Sequence, residues 1–194
     1  MLTQDKCNNK SDEELVQLTL KSQDFFYCLV KNYEAKLTRY IRRISSYSQE
    51  DIEDLLQEIF IKVYKNLNAF DDSLKFSSWI YRIAHNETIS HFRKQKSRPQ
   101  TVTSDNEDDI FNNIASDFNL EKETDTKISR EKISQVLAKL DIKYREVLVL
   151  KFFEDKSYQE MSDILKKPTS TIGTLINRAK KNFFEKLKEL NLKI

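Results

Sequence analysis

One glycine and two prolines in 194 residues constrain this chain more than any other feature. Sheets with many tight turns need residues that accept left-handed or fixed backbone angles, and here almost none exist. The predicted fold class is all-α, with helices joined by polar loops. Apolar residues make up 39% of the chain and charged residues 33%, which fits small helical units with much exposed surface better than one large core. No apolar run approaches membrane-spanning length, and the opening MLTQDKCNNKSDEE has no signal-peptide character. Cys7 and Cys28 lie far apart and form no Cys-x-x-Cys, so they are read as two free thiols in a reducing cytosol. His85 and His91 cannot complete a zinc site with cysteines so distant. With no Gly-rich phosphate loop and no convergent catalytic set, neither an enzyme nor a metal or cofactor is expected.

Charge is nearly balanced overall but unevenly placed. From Lys166 to Ile194 eight cations face only Glu185 and Glu189, whereas Glu50, Asp51, Glu53, Asp54 and Glu58 cluster with no intervening base. Such separation suits nucleic acid on one surface and a basic protein on another.

Apolar periodicity predicts two helices over about 12 to 45, then one near Gln49 to Leu67 with Ile52, Leu55, Leu56, Ile59, Val63 and Leu67 on one stripe. Ser48 and Asp51 read as its capping box. Asp51, Asp54, Gln57, Glu58 and Ile61 lie largely off the stripe. After a short loop, Lys75 to Lys94 reads KFSSWIYRIAHNETISHFRK, a helix that sets aromatic rings beside cations and amides. That combination suits unpaired bases, which offer a face to stack on and a phosphate beside it. The first unit is placed at 1–97.

Residues 98–128 carry three cations against eight carboxylates and few apolar side chains, so they read as a flexible acidic linker. Ile110, Phe111, Ile114 and Phe118 are its apolar exceptions. The second unit is placed at 129–194. There Tyr158 to Leu165 forms a short helix, Lys166-Lys167-Pro168 breaks it, and Thr169 or Ser170 caps a helix running toward Leu190. Ile172, Leu175, Ile176, Ala179 and Phe183 face inward. Ser170, Gly173, Thr174, Asn177, Arg178 and Lys181 face outward, as in the recognition helix of a helix-turn-helix. Arg178 can fork onto guanine, and Asn177 can pair with the edge of adenine.

Two such motifs in this order resemble bacterial sigma factors of the extracytoplasmic-function type. The stretches that carry the resemblance are DIEDLLQEIFIKVYKNL and FDDSLKFSSWIYRIAHN, then YREVLVLKFFEDKSYQEMSDIL and STIGTLINRAKK. The resemblance implies a non-enzymatic, cytoplasmic subunit that binds core RNA polymerase and promoter DNA and is held by an anti-sigma protein. It assigns core binding to Asp51, Asp54, Gln57, Glu58 and Ile61. Minus-ten recognition and melting fall to Phe70, Asp71, Asp72, Ser73 and Lys75 of the loop, with Trp79, Arg82, Asn86, Arg93 and Lys94 of the helix. Trp79 is also weighed as core, Ile83 and Ala84 are assigned to core, and His85 to the surface. Minus-thirty-five recognition falls to Ser170, Thr171, Thr174, Asn177, Arg178 and Lys181. The chain departs from the family where Gly173 and Leu175 stand at commonly basic positions. Gly173 is read as permitting close approach to DNA. The linker would thread the polymerase cleft. The alternative is a helix-turn-helix regulator that binds duplex DNA without polymerase, which leaves Asp51 to Glu58 and Asn68 to Lys94 unexplained.

Overall fold

The computed structural model describes residues 7, 9–97 and 132–191, all helix, turn or loop with no strand among them. The linker and its four apolar exceptions fall outside the described residues. Among the described residues no helix is long and apolar enough to cross a membrane.

Helix α1 (Asp12–Lys21) starts at a capping box: Ser11 Oγ accepts from the Glu14 amide, and the Ser11 amide donates to the Glu14 carboxylate. A 3₁₀ turn leads into α2 (Phe26–Ile44). Its buried residues Leu29, Tyr33, Leu37, Tyr40, Ile41 and Ile44 recur at three- and four-residue steps. That stripe makes α2 the central element, packed against α1, α3 and α4. Helix α3 (Gln49–Lys65) begins at the predicted Ser48 and Asp51 box and buries Ile52, Leu55, Leu56, Ile59, Phe60 and Val63. After a second 3₁₀ turn (Leu67–Ala69) and a loop, α4 (Phe76–Ser97) closes the first unit. Fully burying a Leu or Ile is worth about 1.5–3 kcal/mol, so these stripes dominate its stability.

In the second unit, residues 132–138 are helical, followed by α5 (Ile142–Phe152), α6 (Tyr158–Leu165) and α7 (Thr169–Glu189). Buried Arg145 donates to the carbonyls of Leu137, Ala138 and Leu140, where a helix end leaves acceptors unmatched. Helix α6 starts at a Ser157 and Glu160 capping box and ends at Lys166 in the left-handed region, φ 52°. Pro168, not Thr169 or Ser170, is the N-cap of α7, and no side chain caps it. Ile172, Ile176 and Ala179 are buried, and Leu175 and Phe183 pack half-buried against the core. Gly173 has an ordinary negative φ; a Cβ there would lie 3.7 Å from the Tyr158 ring, an ordinary contact.

The two units pack together, α5 on α2 and α6 on α4. Glu154, just past α5, accepts from Arg43 at 3.0 Å and from the Tyr81 hydroxyl at 2.5 Å. The Arg43 guanidinium covers the Phe153 ring, and the Lys156 ammonium lies 4.4 Å from the centre of the Tyr81 ring. Burial, with Glu154 beside it, holds the Tyr81 phenol above its usual pKa, so it stays a donor. Arg145 also donates to the Ile44 carbonyl, at 3.3 Å.

His85 is not a surface residue: it is 8% exposed, with Nδ1 3.1 Å from the Tyr40 hydroxyl and Nε2 3.7 Å from Glu146. The second unit covers it, which local periodicity cannot reveal. Nor are the cysteines free. Cys7 and Cys28 form a disulfide with Cα atoms 5.5 Å apart, because capped α1 folds back along α2 and returns residue 7 to the start of that helix.

Two outcomes follow. Gly173→Ala should raise the melting temperature by about 2–4 °C, since it gains about 1 kcal/mol of helix propensity without a clash. Duplex binding should be unchanged; lost binding would restore the close-approach reading. The second concerns pH. Burial, then the charge of Lys167, pushes His85 down to about 4 from 6.5. A chain that exposes His85 therefore binds a proton that the packed form refuses, so stability falls as pH drops below 6.5 toward 4. Burial pushes neighbouring Glu146 up, against Lys167, and its protonation offsets part of the loss. Denaturant unfolding at pH 7 and pH 5 should show His85→Gln losing about 1–2 kcal/mol less than wild type. Equal losses would contradict the neutral buried imidazole.

Candidate nucleic-acid interface

The loop between α3 and α4 is organised by Asp71. Its carboxylate accepts from the Ser73 amide at 3.0 Å, and its carbonyl accepts from the Leu74 amide at 3.0 Å. Hydrogen bonds from Ser73 hold the exposed Asp71 carboxyl below the usual range, so it remains an acceptor. Asp72 and Ser73 are exposed beside it. Asp71 and Ser73 thus shape the turn together, with exposed Asp72 between them.

Phe70 and Trp79, both predicted as base contacts, meet one another and Phe76 in a cluster with ring centres 5.5–5.6 Å apart. Trp79 is 6% exposed and belongs to the core. Ala84 is buried and Ile83 is half-buried against the core. Arg82 is half-buried, and Asn86, Arg93 and Lys94 are exposed. Positions 82, 86 and 93 share one face of α4, so the polar members of the predicted set come together. Lys75 is exposed and pairs with Glu160 of α6 at 3.2 Å.

On α3, Asp54, Gln57, Glu58 and Ile61 are all exposed, with Ile61 54% exposed amid carboxylates. Asp51 is half-buried because its carboxylate caps the helix through the Ser48 amide and hydroxyl. Sequence reasoning missed Tyr64, exposed and three residues beyond Ile61, which continues the same face. An apolar centre flanked by acids suits a basic protein surface.

On α7, Ser170, Thr171, Thr174, Asn177, Arg178 and Lys181 are all exposed. Ser170, Thr174, Asn177 and Lys181 follow the helical repeat, with Arg178 beside them. The Thr174 hydroxyl donates back to the Ser170 carbonyl at 3.0 Å, leaving its acceptor side outward. Gly173 lies against Tyr158 and Leu175 against the core, so neither commonly basic position offers a side chain to DNA. The contacts that join the units, Glu154 with Arg43 and Tyr81, were also missed. They lie 111 and 73 residues apart and leave no local signal.

Comparison with known proteins covers both units. The family model described as Sigma-70 region 2 matches residues 29–98, and that described as Sigma-70, region 4 matches 130–183. The ECF RNA polymerase sigma factor SigW of Bacillus subtilis is 32% identical over 92% of this chain and 97% of its own length. The ECF RNA polymerase sigma-E factor of Escherichia coli is 27% identical over 93% of this chain and 96% of its own. Among solved structures, CnrH in complex with the cytosolic domain of CnrY has a TM-score of 0.67 at 20% identity, covering 93% of this chain and 99% of that one. The sigma factor RpoE in complex with the anti-sigma factor NepR, from Bartonella quintana, has a TM-score of 0.64 at 21% identity, covering 84% and 96%. These two share the fold. The identity to SigW extends over nearly the whole of both chains and both region models are matched in order, so this chain belongs to the extracytoplasmic-function sigma factors, which bind core RNA polymerase and direct it to promoters.

Proposed function

We propose that the packed arrangement is the resting form of this sigma factor and that it opens to read a promoter. The observation that carries this reading is the seating of α6 on α4, with Glu160 holding Lys75. Lys75 ends the loop assigned to the minus-ten element, and the partner seated there is the first helix of the minus-thirty-five reader. A strand entering at Lys75 competes with that contact.

In the open form, Asp54, Gln57, Glu58 and Ile61 of α3 grip a basic surface of core polymerase, with Tyr64 extending the patch and Asp51 fixing the helix start. Asp72, Ser73 and Lys75 meet a flipped base of the minus-ten strand, Asp71 holds their turn, and Phe70 lies at the edge of the aromatic cluster. Arg82, Asn86, Arg93 and Lys94 follow the strand backbone. Trp79 supports this surface from beneath. Ser170, Thr171, Thr174, Asn177, Arg178 and Lys181 enter the major groove of the minus-thirty-five duplex. The acidic segment 98–128 threads the polymerase cleft. The protein works in the cytoplasm, and a partner of the anti-sigma kind holds the resting form.

The assignments separate by experiment. Asp54→Lys with Glu58→Lys should weaken core polymerase binding at least about tenfold, the scale of losing complementary charge at an interface, while leaving helicity unchanged. Arg178→Ala should leave core binding intact and cost about 1–3 kcal/mol on a minus-thirty-five duplex. Promoter-selective transcription with purified core enzyme, native gels and duplex titrations read both effects. Unchanged core affinity in the α3 variant would remove the polymerase face from this reading. Duplex binding and transcriptional control without core enzyme would favour a stand-alone helix-turn-helix regulator.

A further inference from the structure

We propose that Cys7 and Cys28 form a reversible thiol-disulfide site that clamps α1 against the loop of residues 70–75. Three observations meet here. The disulfide spans 21 residues of sequence, so the covalent loop encloses all of α1. Helix α1 braces the start of α4: Glu13 Oε1 accepts from the Phe76 amide at 3.1 Å, and α1 packs on the 3₁₀ turn Leu67–Ala69. A groove between α1 and the loop is lined by Lys10, Glu13, Glu14, Gln17, Leu18 and Asp72. What tethers α1 therefore also steadies the loop.

Helix α1 is only ten residues long, too short to persist in water without its packing. Asp12 accepts from the Tyr33 hydroxyl and, at 3.5 Å, from Asn32, and three of its residues are buried. The covalent link adds the one constraint that a change of redox state can remove. A disulfide in a reducing compartment is generally transient or sensing, which favours a switch over a permanent staple.

The chemistry is a two-step exchange with a low-molecular-weight disulfide such as oxidised glutathione. Cys7 is half-buried and Cys28 fully buried, so Cys7 is the entry sulfur. The Cys7 thiolate attacks one glutathione sulfur, forming a mixed disulfide and releasing one glutathione thiol. The Cys28 thiolate then attacks the Cys7 sulfur and releases the second. Two protein thiols lose two electrons and two protons, and one glutathione disulfide becomes two thiols. An excess of reduced glutathione runs the sequence backwards.

The consequence for promoter binding rests on the minus-ten role proposed above; the redox site and its grip on α1 do not. The test uses the full-length chain in buffers of graded glutathione ratio. After acid quenching and denaturation, N-ethylmaleimide should add twice to the reduced protein and not at all to the oxidised monomer, reversibly. Oxidation should raise the melting temperature by about 5–10 °C, the scale for closing a loop of this length in a chain of this size. Amide exchange at Phe76 should slow about tenfold on oxidation, as expected when the brace opens less often. Cys7→Ser and Cys28→Ser should abolish these responses. Bonds formed only between molecules, or an internal bond that leaves exchange over 70–76 unchanged, would overturn the clamp. Exchange that responds while binding to a single-stranded minus-ten oligonucleotide does not would leave the clamp standing and count against the loop's assigned role.

Discussion

Glu154 lies just past α5 and takes hydrogen bonds from two helices of the other unit, Arg43 on α2 and Tyr81 on α4. Its side chain is 7% exposed and that of Arg43 10%, so both charges have lost most of their water. Taking either partner away would deprive the remaining buried charge of its hydrogen-bonded counter-ion, which costs more than the pair stabilises. The pair therefore sets geometry more than it supplies net energy. It fixes where α5 meets α2, and so where α6 meets α4 and sets Glu160 against Lys75.

Around this point polar contacts stand beside an apolar cluster that runs through both units. Lys156 over Tyr81, His85 beside Glu146, and Arg145 on the Ile44 carbonyl are groups that water would receive readily on separation. A partner opens such a contact only by binding the open form more tightly. Turning a population from about 99% closed to about 99% open takes roughly 5.5 kcal/mol of differential affinity. The outward face of α3 is exposed in the packed form and binds alike in both forms, so under the proposed function the difference comes from surfaces that packing engages, such as Lys75 beside Glu160.

Much of the fold was legible because it is local. The α3 stripe, the Ser48 box and the Pro168 break are encoded within a turn or two, and each stands where periodicity and capping chemistry put it. The Ser11 and Ser157 boxes carried the same Ser-x-x-Glu signal and were overlooked. What escaped is contact across long separations. His85 reads as an ordinary surface residue until Tyr40 and Glu146 close over it. Cys7 reads as a free thiol until α1 folds back. Trp79 was legible as core because a lone tryptophan on an amphipathic helix finds apolar neighbours, here Phe70 and Phe76.

The distance between the two units in solution tests this account most directly. Dyes placed by unnatural amino acids at exposed Glu34 on α2 and Lys188 on α7 would report it by single-molecule energy transfer. The free chain should give one high-efficiency population, Glu154→Ala should broaden it toward low efficiency, and core polymerase with promoter DNA should convert it to low efficiency. An unchanged high-efficiency population in the promoter-bound polymerase complex would contradict the account, because the packed arrangement would then be the working form.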